Sequence, residues 1–244
     1  FKLTEKETFN GARLVFNRTF TTGKWNSLIL PVNMSKAQME EAFGNGTELS
    51  EFDRVEDNWI YFKPVTTETD GVLLQKNKPY IIKPTKEPLA NCEYTAGGET
   101  KTLEGKIYLA NGISYADETG NLKHSDNGNS NIMVSYGSYD NPTAVPSRSY
   151  MLNGGNLIHT AKVHKVKAYR TWLEETTPSD KSLQMAFRDA DGDNNATGIT
   201  VIEEQADGTT DSIYSISGMR ISGKNAGKLS KGVYIVNNRK MIVK

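Results

Sequence analysis

The C-terminal stretch of the chain carries its clearest fold signal. It reads SIYSISGMRIS over residues 212–222 and KGVYIVNNRKMIVK over residues 231–244. In the first stretch apolar residues flank Ser217-Gly218, where glycine can take a positive φ angle. In the second they flank Asn237-Asn238, and asparagine tolerates the left-handed geometry of a two-residue turn. The pattern predicts two consecutive β-hairpins, and because their strands are apolar on both faces, we expect both faces to be covered.

Short apolar segments separated by Gly, Asn, Asp and Pro recur along the rest of the chain, which is typical of an all-β fold. Strands are predicted over residues 12–16, 25–31, 59–65, 79–84, 106–109, 132–136, 150–152, 166–173 and 183–187. One short helix is predicted from Ser35 to Phe43. Ser35 and Gln38 can form a capping box, Met34 and Met39 a hydrophobic staple, and Gly44 a stop. We therefore expect a β-sandwich main domain with one short helix, plus a small C-terminal β-hairpin domain.

Composition places the domain boundary in a polar region. Residues 1–187 are interpreted as the β-sandwich-like body, residues 188–198 as an acidic and polar linker, and residues 199–244 as the small C-terminal β domain. Residues 117–130 are similarly polar and are predicted to form a solvated connection. Since the chain begins at Phe1, we expect a trimmed mature form or the C-terminal part of something longer.

Charge and hydropathy exclude several classes of partner. The 29 basic and 29 acidic residues balance, so the bulk electrostatics give no attraction for nucleic acid. No apolar run approaches the ~20 residues that a membrane-spanning helix needs. The single cysteine, Cys92, cannot form an intrachain disulfide and is interpreted as a small buried apolar residue.

The chain lacks the familiar sequence motifs of hydrolases, zinc proteases and nucleotide-binding enzymes, so a non-enzymatic role is predicted. Asp189, Asp191 and Asp193 alternate as calcium ligands do, but Asn194 and Thr200 occupy positions where a calcium loop has glycine and a bidentate carboxylate. They are thus weak metal candidates, and no other cofactor is expected.

Histidines and aromatic residues supply the remaining candidates. The odd spacing of His159 and His164 predicts that they lie on opposite faces of one strand, which argues against joint metal ligation. Trp59, Tyr136 and Tyr139 lie at a strand entrance or in a turn-rich segment and are candidate ligand-binding aromatics. By contrast, the other two tryptophans, Trp25 and Trp172, lie within apolar strand patterns and are interpreted as packing residues.

The tail resembles the C-terminal domain of secreted and surface proteins of the Bacteroidetes, of the Bacteroides and Prevotella type. The matching residues are Tyr214, Gly218, Arg220, Ile221, Lys231, Gly232, Tyr234, Val236 and Lys244. The stretches TTGKWNSLILPVNMSKAQMEEAFG, residues 21–44, and KAYRTWLE, residues 167–174, are similar to segments of the same proteins. The resemblance implies export and an extracellular or outer-membrane-associated surface location, with the tail acting as a sorting signal of type IX secretion.

The sequence therefore predicts a non-catalytic extracellular module that serves adhesion or binds a host or microbial glycan or surface protein. One alternative is a C-terminal spacer of a larger secreted enzyme, and another is a carbohydrate-active enzyme. A concave groove with two carboxylates and exposed aromatic rings would favour the enzyme, whereas a convex surface with few pockets would favour the other two.

Overall fold

The computed structural model describes residues 8–116, 122–177, 183–187 and 201–204, with only the backbone of Ala116 and Val201. It also describes the backbone of four further strands within residues 213–243. The chain divides into two compact units, Phe1–Glu204 and Gln205–Lys244. Strands dominate both units and one short helix accompanies them in the described residues, so the predicted all-β, sandwich-like class is confirmed.

The first unit contains sixteen strands and the helix α1 (Lys36–Phe43) in the part of the chain that the structure describes. The strands are β1 (Thr8–Asn17), β2 (Asn26–Leu28), β3 (Glu48–Glu56), β4 (Trp59–Pro64), β5 (Tyr80–Lys83), β6 (Leu89–Ala96), β7 (Glu99–Ala116), β8 (Lys123–Asp126), β9 (Met133–Ser138), β10 (Thr143–Val145), β11 (Ser149–Asn153), β12 (Asn156–His159), β13 (His164–Val166), β14 (Arg170–Glu175), β15 (Gln184–Phe187) and β16 (Val201–Glu203).

A five-stranded sheet, in the order β15-β4-β3-β5-β2, lies at the centre of this unit. Consecutive residues of its strands are buried, as in the run Tyr80, Ile81 and Ile82 of β5, so both of its faces are covered. One face packs against the six-stranded sheet β16-β12-β11-β14-β9-β8 through a core that includes Phe52, Ile60, Ile81, Met133, Tyr150 and Leu173. The other face packs against α1 and the sheet β1-β7-β6 through a core that includes Leu28, Ile82, Phe43, Phe16 and Tyr108.

Helix α1 begins and ends as its sequence predicts. The Gln38 N–H donates to Ser35 Oγ at 3.2 Å, and the Ser35 N–H donates to Gln38 Oε1 at 2.9 Å, which completes the capping box. Met34 and Met39 are both buried in the same core. Gly44 ends the helix at φ 106°, where a Cβ atom would lie 2.3 Å from Thr85 Oγ1. A larger residue would clash at this position.

Two predictions within the first unit are wrong in detail. The strand predicted over residues 166–173 is divided between β13, which pairs with β10, and β14, which pairs with β9 and β11. Tyr169, at φ 63°, separates them, because this left-handed conformation interrupts an extended chain. In the polar run 117–130, residues 123–126 form β8 and pair with β9, so that part is not merely a solvated connection.

The unit boundary lies further along the chain than the sequence analysis placed it. Strand β16 pairs in parallel with β12, with Leu157 opposite Val201 and His159 opposite Glu203. Residues 201–204 therefore belong to the sheet of the first unit, because their extended backbone pairs with its edge strand. The predicted linker, residues 188–198, lies outside the described residues. In the described ranges no helix has the length and apolar character needed to cross a bilayer.

The second unit contains a four-stranded sheet in the order β18-β17-β19-β20. Its strands are β17 (Ile213–Ser215), β18 (Arg220–Ile221), β19 (Gly232–Val236) and β20 (Arg239–Val243). Both predicted hairpins are confirmed, and Val236 pairs with Arg239, so Asn237-Asn238 is the two-residue connection. Strands β17 and β19 also pair, which joins the hairpins into one sheet. The predicted burial of both strand faces stays a prediction.

Candidate ligand-binding groove

A groove opens at one end of the central sheet of the first unit. Strand β3 begins at this end and β4, β5 and β15 finish there, because Ser50 pairs with Pro64 and Glu48 pairs with Lys83. Trp25 directly precedes β2, which pairs with β5 at the same end. Side chains that are distant in sequence are thus brought together by the pairing of short strands, which is antiparallel except between β15 and β4.

The groove has a volume of about 590 Å³ and combines an apolar base with a polar rim. Its apolar surface includes Met39, Leu49, Val65, Leu73 and Trp25. Three lysines and two glutamates also line it: Lys24, Lys36, Lys83, Glu40 and Glu48. A volume of this size, with apolar walls and a few polar groups that fix orientation, is typical of a small-ligand site.

Trp25 is the aromatic residue of the groove, and its neighbours fix its orientation. Its ring stacks on Phe187, with centroids 4.6 Å apart and planes inclined by 18°. The ammonium of Lys83 lies 6.0 Å from the Trp25 ring centroid and 2.6 Å from Glu48 Oε1. Trp25 therefore packs against the core, as predicted, but it is only half-buried and also lines the groove. The polar residues Gly23 and Lys24 before it were the sequence signal for an exposed edge.

A second groove, of about 340 Å³, adjoins the first. Both are lined by Pro64, Val65, Thr66 and Leu73. In the second groove the Lys78 ammonium lies 2.5 Å from Glu51 Oε2 and 3.5 Å from Asp126 Oδ2. Burial lowers the pKa of Lys78, but its bonds to these carboxylates outweigh burial and raise that pKa above its usual value.

Tyr80 also lines the second groove, and its hydroxyl accepts a hydrogen bond from the Gln75 N–H at 3.2 Å. Burial raises the pKa of the Tyr80 phenol to about 12. The phenol therefore stays protonated at neutral pH. Its side chain is only 3% exposed and belongs to the core beneath the groove, so it supports the groove wall and is a poor general base.

The three aromatic candidates from the sequence do not form one site. Trp59 is half-buried at the start of β4 and lines neither groove. Tyr136 is half-buried on β9, stacks on Trp172 at 6.0 Å, and has the Lys123 ammonium 3.9 Å from its ring centroid. The interpretation of Trp172 as a packing residue is confirmed, because its side chain is buried in the core.

Tyr139 is an interior residue and not a surface contact. Its side chain is 3% exposed, and its hydroxyl donates a hydrogen bond to Asn77 Oδ1 at 2.9 Å. Burial raises the pKa of this phenol as well. Its ring lies 5.6 Å from that of Tyr169, within an aromatic cluster. The prediction that Tyr139 binds a ligand is therefore wrong, because the ring is enclosed by its neighbours. Cys92 is buried as a free thiol, as predicted.

The two histidines occupy different strands, contrary to the prediction. His159 ends β12 and its Nδ1 lies 2.7 Å from Glu203 Oε2, whereas His164 begins β13 and its Nε2 lies 2.7 Å from Glu204 Oε2. Across the described ranges there is no group of three or more residues able to hold a metal ion. Asp189, Asp191 and Asp193, the weak calcium candidates, lie outside the described residues.

Comparison with known proteins adds no family to this geometry. No protein-family model matches the chain, and no curated protein or solved structure matches it. Of the tail residues that carry the resemblance to surface proteins, Arg220 lies in β18, and Gly232 and Tyr234 lie in β19. The other three site candidates of the tail, Gly218, Lys231 and Lys244, lie outside the described residues.

Proposed function

We propose that this chain is a non-catalytic, ligand-binding module of a secreted or cell-surface protein and that its groove binds a glycan. The observation that carries the proposal is the Trp25 ring, which lines the groove and is held in place by Phe187. A sugar ring has an apolar face that packs on an aromatic ring, and hydroxyl groups around its edge that bind polar side chains. The groove offers both kinds of partner.

The polar partners are arranged around the apolar surface. Thr47 and Thr66 supply hydroxyl groups to the lining, and Glu48 and Lys83 supply an ion pair whose members are both partly exposed. Hydroxyls and charged groups of this kind can donate to and accept from sugar hydroxyls. The exposed carboxylate of Glu48 is placed to accept hydrogen bonds from sugar hydroxyls while it stays paired with Lys83.

A carbohydrate-active enzyme is the second candidate, because Glu40 and Glu48 line the same groove. Most glycoside hydrolases use a pair of carboxylates that flank the scissile bond. Incubation with oligosaccharides separates the two functions. Binding without new reducing ends favours the module. Hydrolysis that is lost in both Glu40→Gln and Glu48→Gln would establish the enzyme.

The binding proposal is tested with a glycan panel and two tryptophan variants. We expect Trp25→Ala to lose about 5- to 30-fold in affinity for any glycan that the parent binds, since one aromatic contact of this kind contributes roughly 1–2 kcal/mol. Trp59→Ala is the matched control, because Trp59 is also half-buried on the central sheet but lines neither groove. Equal losses in both variants would reject the groove as the site.

The proposed surface location is supported by the resemblance of the tail to that of sorted surface proteins, and it needs an experiment of its own. We expect the native protein in the surface and culture-medium fractions of its source cells, as the resemblance to sorted surface proteins implies. Intact mass spectrometry of those fractions would distinguish a stand-alone protein from the C-terminal part of a larger one. Recovery only from the cytosol would contradict the proposed location.

A further inference from the structure

The two grooves of the first unit meet along the end of β4. Pro64 and Val65 are half-exposed there and Thr66 is exposed, and all three line both grooves. Trp25 lies in the first groove and Tyr80 in the second, and neither lines both. The apolar surface of Pro64 and Val65 therefore connects a cavity with an aromatic face, that of Trp25, to a cavity with hydroxyl groups, since Tyr80 is only 3% exposed.

The charges along this surface are balanced. Five lysines line the two grooves: Lys24, Lys36 and Lys83 in the first, Lys63 and Lys78 in the second. Three glutamates, Glu40, Glu48 and Glu51, line them as well. Two further carboxylates contact the lining residues, since Glu68 accepts from the Lys36 backbone N–H and Asp126 lies 3.5 Å from Lys78 Nζ. An equal number of opposite charges gives no net attraction for an anionic polymer.

The lysines of the second groove are also occupied by partners. Glu51 lies 2.8 Å from Lys63 Nζ through one oxygen and contacts Lys78 through the other. An anionic ligand would have to displace Glu51 from these ammonium groups, which costs free energy. The hydroxyls of Thr67 and Thr69 and the amide of the exposed Gln75 can bind an uncharged ligand without that displacement.

From these observations we infer that the ligand is a linear, uncharged oligosaccharide that occupies both grooves and crosses Pro64–Thr66. This inference rests on the proposed function, because it requires that the first groove binds a sugar ring against Trp25. One sugar unit then packs near Trp25 and later units bind the hydroxyl and amide groups of the second groove. Affinity should consequently rise with chain length until both grooves are filled.

Calorimetry with gluco-, xylo- and manno-oligosaccharides from disaccharide to hexasaccharide tests the inference. For the sugar that binds, we expect the longest chain to bind at least about tenfold more tightly than the disaccharide. The double variant Thr67→Ala/Gln75→Ala should remove most of that gain and leave disaccharide affinity unchanged. Its matched control is Thr100→Ala/Gln184→Ala, which removes the same two side-chain types from exposed positions outside both grooves.

The outcomes separate this inference from the proposed function. If the disaccharide binds, Trp25→Ala weakens it, and longer chains bind no better, the extended site is overturned while the glycan-binding groove stands. If no oligosaccharide of the three series binds, both are overturned. A marked preference for uronic acid oligomers that disappears at high salt would overturn the inference that the ligand is uncharged.

Discussion

Trp25 and Phe187 stack at 4.6 Å although they adjoin strands at opposite edges of the five-stranded sheet. Trp25 precedes β2 and Phe187 ends β15, which are four strand positions apart. In a flat sheet these edges would be about 19 Å apart, since neighbouring strands are separated by about 4.8 Å. The sheet is therefore strongly curved at this end, and its curvature forms the groove.

The stack leads to a prediction about Phe187→Ala. We expect this variant to lose about 1–3 kcal/mol of unfolding free energy, less than a fully buried Phe→Ala change, because Phe187 is half-buried. Trp25 should also become more accessible, which iodide quenching of tryptophan emission measures. Phe9→Ala is the control, since Phe9 is 45% exposed and stacks loosely on Tyr115 at 6.4 Å. Equal stability of the two variants would contradict the role of the stack.

A second prediction concerns Gly128, where a loop crosses β3. Gly128 has φ +51°, and a Cβ atom there would lie 2.3 Å from the Asp53 carbonyl oxygen. The next residue, Asn129, donates from its backbone N–H to the same oxygen at 2.6 Å and from its side chain to Asp53 Oδ1 at 2.8 Å. These bonds hold the loop in place, so it cannot move away from an added methyl group.

We expect Gly128→Ala to be less stable than Gly97→Ala by about 1–3 kcal/mol. Gly97 is a matched control because it has φ +63° and an added methyl group would meet nothing within 4 Å there. Both variants bear the strain of a positive φ angle, about 1–2 kcal/mol for a residue with a Cβ atom. Only Gly128 adds a steric clash. Urea unfolding measures the difference, and equal values would mean that the loop can shift.

Local signals in the sequence predicted the elements that depend on few residues. The capping box of Ser35 and Gln38 and the stop at Gly44 fix the two ends of α1, and each acts within a few residues of chain. Asn237-Asn238 predicted the second hairpin, and the pairing of the strands on either side confirms it. For the same reason the all-β class followed from the alternation of short apolar runs with turn residues.

The groove could not be predicted in this way, because its parts come from distant strands. Lys83 meets Glu48 only through the pairing of β3 and β5, and Phe187 reaches Trp25 only through the curvature of the sheet. Likewise His164 meets Glu204 only because β16 adds to the sheet edge. No spacing in the sequence encodes these contacts. The local pattern around Trp25 therefore predicted that it packs in the core and did not indicate that it also lines a groove.

Arg18 leads to a third prediction, because it is a buried cation that forms no ion pair among the described residues. Its side chain donates to the Tyr169 carbonyl and, at 3.4 Å, to Ser27 Oγ, and its guanidinium lies 4.4 Å from the Phe20 ring centroid. Burial, with a smaller contribution from the nearby Arg170 charge, holds the pKa of Arg18 well below its usual value. Its charge is therefore an unfavourable part of the core.

We expect the unfolding free energy of Arg18→Met to lie within about 1 kcal/mol of that of the parent, because methionine keeps the apolar stem and removes a desolvated charge. Arg18→Ala should lower the unfolding free energy by about 2–4 kcal/mol, because this change also leaves a cavity. Urea unfolding of the two variants measures this contrast. If Arg18→Met were as unstable as Arg18→Ala, the charge itself would be required and the packing argument would fail.

The fourth prediction concerns the pH dependence of the contact that holds β16. Glu204 accepts from the Ala161 N–H at 2.9 Å and lies 2.7 Å from His164 Nε2. Burial raises the pKa of Glu204, but the bonds from His164 and Ala161 outweigh burial and lower that pKa below its usual value. A carboxyl group with a lowered folded-state pKa stabilises the fold above its unfolded-state pKa, and this stabilisation is lost as the pH falls through the folded-state value.

Glu204→Gln should therefore be less stable than the parent at neutral pH, by about 0.5–1 kcal/mol for a partly exposed pair. The two proteins should converge in acid, once the pH lies below the folded-state pKa of Glu204, because the parent has then lost the charge as well. Urea unfolding at neutral pH and at a series of successively lower pH values measures the difference, with Glu99→Gln at an exposed strand end as the control. A difference that persists unchanged in acid would show that shape and hydrogen bonding, and not the charge of Glu204, hold β16 on the sheet.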